Sequence, residues 1–581
     1  MNVFAEFREI VIEVLTKLAQ KNQIPDGLDY SRVACEPPKE AAHGDIATNA
    51  AMVMAKPAAM NPRTIAELLA AELSSNPFIA SCDIAGPGFV NMTLTDDFWR
   101  NELKSILKAE THYGDSTLGH SRKVNVEYVS VNPTGPMHVG HSRVAIVGDI
   151  LVSLLKKVGY QVTKEFYIND AGVQTIELAR SVYKRYQQAH GIETDASGTY
   201  SGEYLIPVGE ELAKRDGDKW LGQDESIWLN PVRQFAIAAM MELIKQDLDL
   251  LKIHHDIFSS EEAIIAAGGV EKAFAELEGQ GLIYTGQLPE PKGKVIEDWE
   301  PRDLTLFRSS TYGDDQDRAL KKSDGAWTYI MGDIAYHRDK AKRGFDLLIN
   351  VWGTDHVGYV KRLKAATEAL TAGKVHLEVI LCALVNFMDQ GEALKMSKRA
   401  GTFIPVKEVI DRVGCDATRF MMVSRKNDIP LDFDFAKVIE QSKDNPVYYV
   451  QYAYARACSI RRHVESTFPG IKLDSENLQK ADFTLLTAKE DIAMIKTLSE
   501  WPRQVEVAAE AREPHRLSYY LYHVASVFHG LWTRGRDDAE LRFIYPQDEK
   551  KTLAKYALVQ GVANVIASGL SVFGVQPLEE M

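Results

Sequence analysis

Cysteine is scarce: Cys35, Cys82, Cys382, Cys415 and Cys458 are the only five in 581 residues, far apart and never as a Cys-x-x-Cys pair. That spacing argues against a disulfide framework and against a cysteine-rich zinc site. Basic residues are also short, 67 Lys and Arg against 81 Asp and Glu for a net charge of −14. Such a deficit opposes any whole-chain attraction to nucleic acid or anionic lipid. It is uneven, however. From Gln441 to Met581 there are 17 basic and 18 acidic residues, so the last quarter is the part least repelled by a polyanion. The opening residues carry Glu6 and Glu9 and no apolar segment with a cleavage site, so no secretory signal is expected. Long apolar runs are confined to Ala557 to Gln576, which is interrupted by Gln560, Asn564, Ser568 and Ser571. A buried helix of an all-helical domain is expected there rather than a membrane span.

What is present is ordinary globular composition, 45% hydrophobic, 25% charged and 9% aromatic, which excludes disordered and collagen-like classes. At about 100–200 residues per domain, three or four domains are expected. The periodicity of Val3, Phe4, Phe7, Ile10, Val11, Val14, Leu15 and Leu18 predicts an opening helix. A small-residue helix over Ile46 to Lys56, a helix after Asn61-Pro62-Arg63, and a turn and strand over Ala85 to Leu94 complete a small α+β domain, residues 1–111. From Lys123 a strand, a Pro/Gly loop, a helix to Val158 and a second strand from Gln161 to Ile168 follow. That order is a βαβ unit and implies a parallel sheet. A polar, loop-rich insertion over about 181–229 comes next, then strands at Trp327–Ile330, Leu347–Trp352 and Val379–Phe387. The reading is a multidomain α/β chain: a doubly wound parallel (Rossmann-like) sheet over 112–388, a connecting region over 389–444, and an all-α bundle over 445–581.

Two segments carry chemistry. Asn132-Pro133-Thr134-Gly135-Pro136-Met137-His138-Val139-Gly140-His141 sits where a doubly wound sheet places its ligand, between a strand's carboxyl end and a helix start. The helix end favours phosphate there, and two imidazoles three residues apart share one side of the first turn. Alone, the pair is equally well explained as helix capping. Metal binding by it lacks a carboxylate or thiolate at helix spacing. The second segment is Lys395-Met396-Ser397-Lys398-Arg399, three cations beside Gly401, suited to clamping a triphosphate or a leaving pyrophosphate.

Together these segments resemble the HIGH and KMSKS signatures of class I aminoacyl-tRNA synthetases, with Arg399 departing from the final Ser of the second. Further stretches resemble the arginyl-tRNA synthetases, bacterial type: Glu127–Pro136, Tyr167–Gln174, Asp324–His337, Trp352–His356 and Asn445–Arg456, with His43–Asn49 and Ala85–Asn91 resembling that family's additional N-terminal domain. The resemblance implies activation of L-arginine by ATP, with Mg2+ carried on the nucleotide, and transfer to the terminal adenosine 2′-hydroxyl of the cognate tRNA. It implies ATP binding by residues Asn132 to His141 with Met396, Ser397 and Lys398, and catalysis by His138, His141, Lys395 and Lys398. Arginine would be held by Tyr329 and Asp333 at its guanidinium, whose fixed fork of donors wants carboxylates and planar acceptors, and by Asn132, Asn169 and His356 at its other end. In the bundle, Tyr452, Arg456, Arg461 and Arg512 would meet unpaired anticodon bases, and the first domain the tRNA elbow. A cytoplasmic monomer without membrane contact is expected. A nucleotidyltransferase of small acids would share the histidine loop but not the long helical C-terminal domain.

Overall fold

The computed structural model describes residues 2–195, 198–288, 302–322, 324–394 and 404–581. They form two compact units, one of Gly119–Glu440 with Arg512–His515, the other of Met1–Leu118, Gln441–Ala511 and Arg516–Met581.

The first unit is built on five parallel strands: β1 (Lys123–Glu127), β2 (Gln161–Ile168), β3 (Ile257–Ser260), β4 (Leu347–Gly353) and β5 (His376–Cys382), in spatial order β5-β4-β1-β2-β3. In β1, Val124, Asn125, Val126 and Glu127 are all buried, as a strand covered by helices on both faces requires. The register sets Val124 beside Leu347 on one side and Val162 on the other. After β1 the chain crosses through α1 (Val139–Lys157) to β2. It then makes a helical excursion, α2 (Val173–Ala189), α3 (Leu205–Asp216) and α4 (Glu225–Leu250), before β3 and the short α5 (Glu261–Ala266). Helix α6 (Tyr329–Lys342) precedes β4. Strand order reverses between β1 and β4, so a crevice opens at their carboxyl ends, where doubly wound sheets bind ligands. A second sheet pairs β6 (Val385–Asp389) in parallel with β7 (Leu431–Asp434).

In this unit three expectations are corrected. Trp327–Ile330 is not a strand: Tyr329 opens α6, because Thr328 spends its hydroxyl on the Ala319 and Leu320 carbonyls (2.9 and 3.1 Å) and turns the chain. Val379–Phe387 is two strands in two sheets. At Ala383 the N–H donates to the Asn427 carbonyl and the carbonyl accepts from Arg143, so the ladder cannot continue through it. The insertion over 181–229 is mainly helical, with its own core of Leu178, Tyr186, Leu205, Leu212, Trp220 and Trp228.

In the second unit, an antiparallel sheet of Cys35–Glu36, Ile46–Thr48, Phe89–Leu94 and Ile79–Ala85 is joined by helices Val3–Gln20, Ala50–Ala58, Pro62–Leu73 and Asp96–Ala109. Ile46–Thr48 is thus a strand, and the small-residue helix starts only at Ala50. Beyond Gln441 every described element is helical, including Pro446–Thr467, Lys489–Ser499 and Trp501–Ala511. Helix Glu549–Phe573 is long and apolar enough to cross a membrane, yet 83% of its apolar window is buried inside the protein.

Candidate active site

The loop after β1 begins under strain. Val129 and Ser130 have φ of +72° and +41°, a conformation costing roughly 1–3 kcal/mol per non-glycine residue and found mostly where function needs it. The Ser130 hydroxyl anchors the bend, donating to Glu127 at 3.0 Å and accepting the Tyr167 N–H at 3.1 Å. At the far end His138 caps α1: its Nδ1 accepts the Gly140 N–H at 3.1 Å, and His141 Nδ1 accepts the His138 N–H at 3.4 Å. With each Nδ1 an acceptor, each neutral ring carries its proton on Nε2. The two rings stack with centroids 3.6 Å apart. The caps thus fix one tautomer for both rings, with the proton on Nε2.

Lys395, Met396, Ser397 and Lys398 lie outside the described residues. The residues just beyond that segment are placed on the histidine loop. The Val139 N–H donates to the Ile404 carbonyl at 2.9 Å, the Val406 N–H to the Met137 carbonyl at 3.4 Å, and His138 bridges Pro405.

Beside this loop lies a pocket of carboxylates. Tyr329, at the first position of α6, is 73% exposed. Asp333, one turn on, is half-buried, and its carboxyl is pushed up to about 7 by burial, then by Glu261 and Glu127, with Lys340 opposing. Glu261 is raised by burial and by Asp170. Its carboxylate lies close against α6: a Cβ on Gly332 would sit 2.8 Å from its oxygen. The Tyr167 hydroxyl is buried among Glu261, Asp333, Glu127 and Asp170, which together with burial raise its pKa. Beneath, the buried Lys340 ammonium donates to Glu127 (2.7 Å) and to the Asn350 carboxamide (2.9 Å). Asn350 donates to His337, and His337 to the Asp333 carbonyl (2.9 and 2.8 Å). Glu127 thus has its cation, whereas among the described residues no ion pair engages Asp333 or Glu261.

The other predicted residues stand at the carboxyl ends of the strands. Asn169 is exposed at the end of β2 and His356 is exposed after β4, near Asp355. Exposed Asn132 donates to Gln174 at 2.9 Å. In the second unit, the Arg456 guanidinium donates to the Tyr452 hydroxyl (2.9 Å) and to His529 (2.6 Å), and lies over the Tyr452 and Trp532 rings. Arg461 pairs with Glu465 one turn away. Arg512 does not join them: it belongs to the sheet-bearing unit, where it donates to Glu378 of β5 at 2.9 Å.

Comparison with known proteins decides what this site belongs to. Three family descriptions match along the chain: the arginyl tRNA synthetase N terminal domain over residues 5–94, the catalytic domain of tRNA synthetases class I (R) over 102–441, and the DALR anticodon binding domain over 450–581. The arginine–tRNA ligases of Rhodospirillum rubrum and Ruegeria pomeroyi are each 53% identical, over the whole of both chains. The chain belongs to the arginyl-tRNA synthetase family. The Thermus thermophilus arginyl-tRNA synthetase shares the fold, with a TM-score of 0.74 at 20% identity over 99% of this chain and all of that one.

The sequence motifs single out Tyr329 and Asp333, whereas Glu261 and Lys340, which act electrostatically on Asp333, carry no motif. Tyr167 and Asp170 lie within the Tyr167–Gln174 stretch. Glu261 sits in Ser259-Ser260-Glu261-Glu262, which has no periodicity or spacing to mark it. Only the sheet, by setting β3 beside β2, brings it to Asp333.

Proposed function

We propose that this member of the arginyl-tRNA synthetase family is an arginine–tRNA ligase working through the two adjoining halves of this crevice. A carboxylate oxygen of L-arginine attacks the α-phosphorus of ATP, and the bond to the β-phosphate breaks to release pyrophosphate. The 2′-hydroxyl of the tRNA's terminal adenosine then attacks the arginyl carbonyl, gives up its proton, and AMP leaves. Neither step needs a covalent nucleophile on the protein; both need positioning and charge stabilisation.

The observation that carries this reading is the pocket around Tyr167, where Asp333 and Glu261 converge and, among the described residues, no ion pair engages either. A guanidinium supplies the charge and offers five donors in a planar fork, whereas a lysine ammonium is too compact to meet both carboxylates and the exposed Tyr329 ring. Asn132, Asn169 and His356 hold the α-amino and carboxylate end. The Nε2–H groups of His138 and His141 bind ATP phosphates, and Lys395 and Lys398 stabilise the departing pyrophosphate. Magnesium arrives on ATP as part of the substrate, bridging phosphate oxygens. Tyr452, Arg456 and Arg461 meet anticodon bases, the N-terminal domain meets the tRNA elbow, and the enzyme acts as a cytoplasmic monomer away from membranes.

The test is ATP–pyrophosphate exchange with each of the twenty amino acids, with and without tRNA. Exchange with arginine alone is expected. Equal exchange with lysine, or none with arginine when tRNA is present, would overturn the reading.

A further inference from the structure

The helical excursion α2–α4 packs around its own core, yet three of its side chains leave that core and end on the loops of the site. Tyr204, just ahead of α3, donates its hydroxyl to the Thr134 carbonyl at 2.8 Å. Its ring lies over Gly135 so closely that a Cβ there would sit 3.0 Å from the hydroxyl oxygen. Asp247, near the end of α4, is buried and accepts the Met137 N–H at 2.7 Å. Arg233, on the same helix, donates to the Asp170 carbonyl at 3.2 Å and to Glu262 at 2.5 Å.

Asp247 is the unusual member. A buried carboxylate is costly unless paired with a cation, and among the described residues no ion pair engages it. Burial pushes its carboxyl up to about 6, and the Met137 N–H is what favours the ionised form. An apolar side chain at this position would serve the core better. What the carboxylate does hold is one peptide, that between Pro136 and Met137, while Tyr204 holds the peptide between Thr134 and Gly135. These two bonds bracket the Gly135-Pro136 bend, and the residues after it carry both imidazoles.

We propose that Asp247 and Tyr204 are positioning residues for adenylate formation, fixing the backbone of the histidine loop so that the two imidazoles converge on the triphosphate. The proposal rests on the reading of that loop as the ATP site. It assigns the excursion a part in the chemistry through the loop that it holds.

The experiment is arginine-dependent pyrophosphate exchange in the presence of tRNA, with thermal melting, for the unaltered chain and for Asp247→Ala, Asp247→Asn and Tyr204→Phe. Asp247→Ala is expected to lower kcat about 10- to 100-fold and Tyr204→Phe about 3- to 10-fold, with the KM for arginine within about twofold, because a sub-ångström shift of a positioned group acts on the transition state. Asp247→Asn, whose carbonyl still accepts the Met137 N–H, should recover kcat to within about threefold of the parent. A solely structural role would instead lower Tm in step with activity and raise both KM values. An active parent whose Asp247→Ala and Tyr204→Phe variants keep kcat within about twofold overturns the positioning role alone, as does Asp247→Asn failing as badly as Asp247→Ala. A parent inert with arginine and tRNA overturns the functional reading, and this proposal with it.

Discussion

At the scale of single residues, the capped histidines and the unneutralised carboxylates make different demands. On the proposed reading, His138 donates to the ATP phosphates and contributes more as their charge redistributes than in the ground state. His138→Ala is therefore expected to slow adenylate formation about 10²- to 10³-fold while leaving arginine affinity nearly unchanged. Single-turnover kinetics would measure the first and calorimetry the second; an unchanged activation rate would remove the residue from the chemistry. Asp333 works the other way. Its carboxyl stands at about 7 in the folded protein against an ordinary 3.8, so the native state holds its proton more tightly than the unfolded chain does. The sign follows: stability falls as pH rises from about 4 to about 7 and is level above that. Arginine reverses the cost, since a guanidinium favours the ionised form. Its affinity should drop about tenfold per pH unit below 7, with proton release on binding. Asp333→Asn should bind arginine at least about 100-fold more weakly yet melt higher than the parent at pH 8, the difference shrinking at pH 5. A parent whose arginine affinity is flat between pH 5 and 8 would mean that another group meets the guanidinium.

Between residues and the whole molecule, elements were legible where their signal is local. Periodicity suffices for helix Val3–Gln20, and β-branched runs for β1 and β2, because each buries its pattern against one kind of neighbour. The failures share one cause, a tertiary bond that outweighs propensity. Thr328 turns Trp327–Ile330 into a helix start, and Arg143 ends β5 at Ala383. Likewise the histidine loop stands out only when it is taken together with the Lys395–Arg399 segment, whereas nothing local marks Glu261, which comes beside Asp333 only once β3 lies beside β2. Arg143 shows how much one such bond carries. Buried within α1, its guanidinium donates to the Ala383, Ile429 and Lys426 carbonyls at 3.0, 2.7 and 3.0 Å, tying the helix behind the histidine loop to the crossing between the two sheets. A lysine reaches one of the three. Arg143→Lys is expected to destabilise this unit by about 2–4 kcal/mol, read as a lower urea midpoint. An unchanged midpoint would show that the carbonyls find other donors.

For the molecule as a whole, the consequential finding is that the first 118 residues and the helical C-terminal segments form one compact unit, although hundreds of residues separate them in the chain. The seam between them is polar as well as apolar. Trp501 is fully buried and donates its indole N–H to the Tyr113 carbonyl at 2.8 Å, and Ser568 donates to the same carbonyl at 2.9 Å. Ser475 donates to Leu107, Arg100 to Leu486, and the Lys496 ammonium pairs with the buried Asp45 carboxylate at 2.5 Å. Helix Glu549–Phe573 owes part of its burial to this seam: its Asn564 donates to the Ile106 carbonyl, and Leu103 and Ile106 pack against Gly561. The N-terminal domain therefore cannot be a detachable appendage. Deleting residues 2–118 would strip one face of helix Glu549–Phe573 and leave the Trp501 indole without its Tyr113 acceptor. Such a truncation is expected to aggregate, or to melt its helical segment well before the sheet-bearing unit. The milder Trp501→Phe keeps an aromatic ring but loses the indole donor, and should cost about 1–3 kcal/mol in the same unit. Calorimetry resolves the two: a truncated chain whose helical transition stays at the full-length temperature would mean that the seam contributes nothing to folding, and that the N-terminal domain is held in place by contacts the helices do not need.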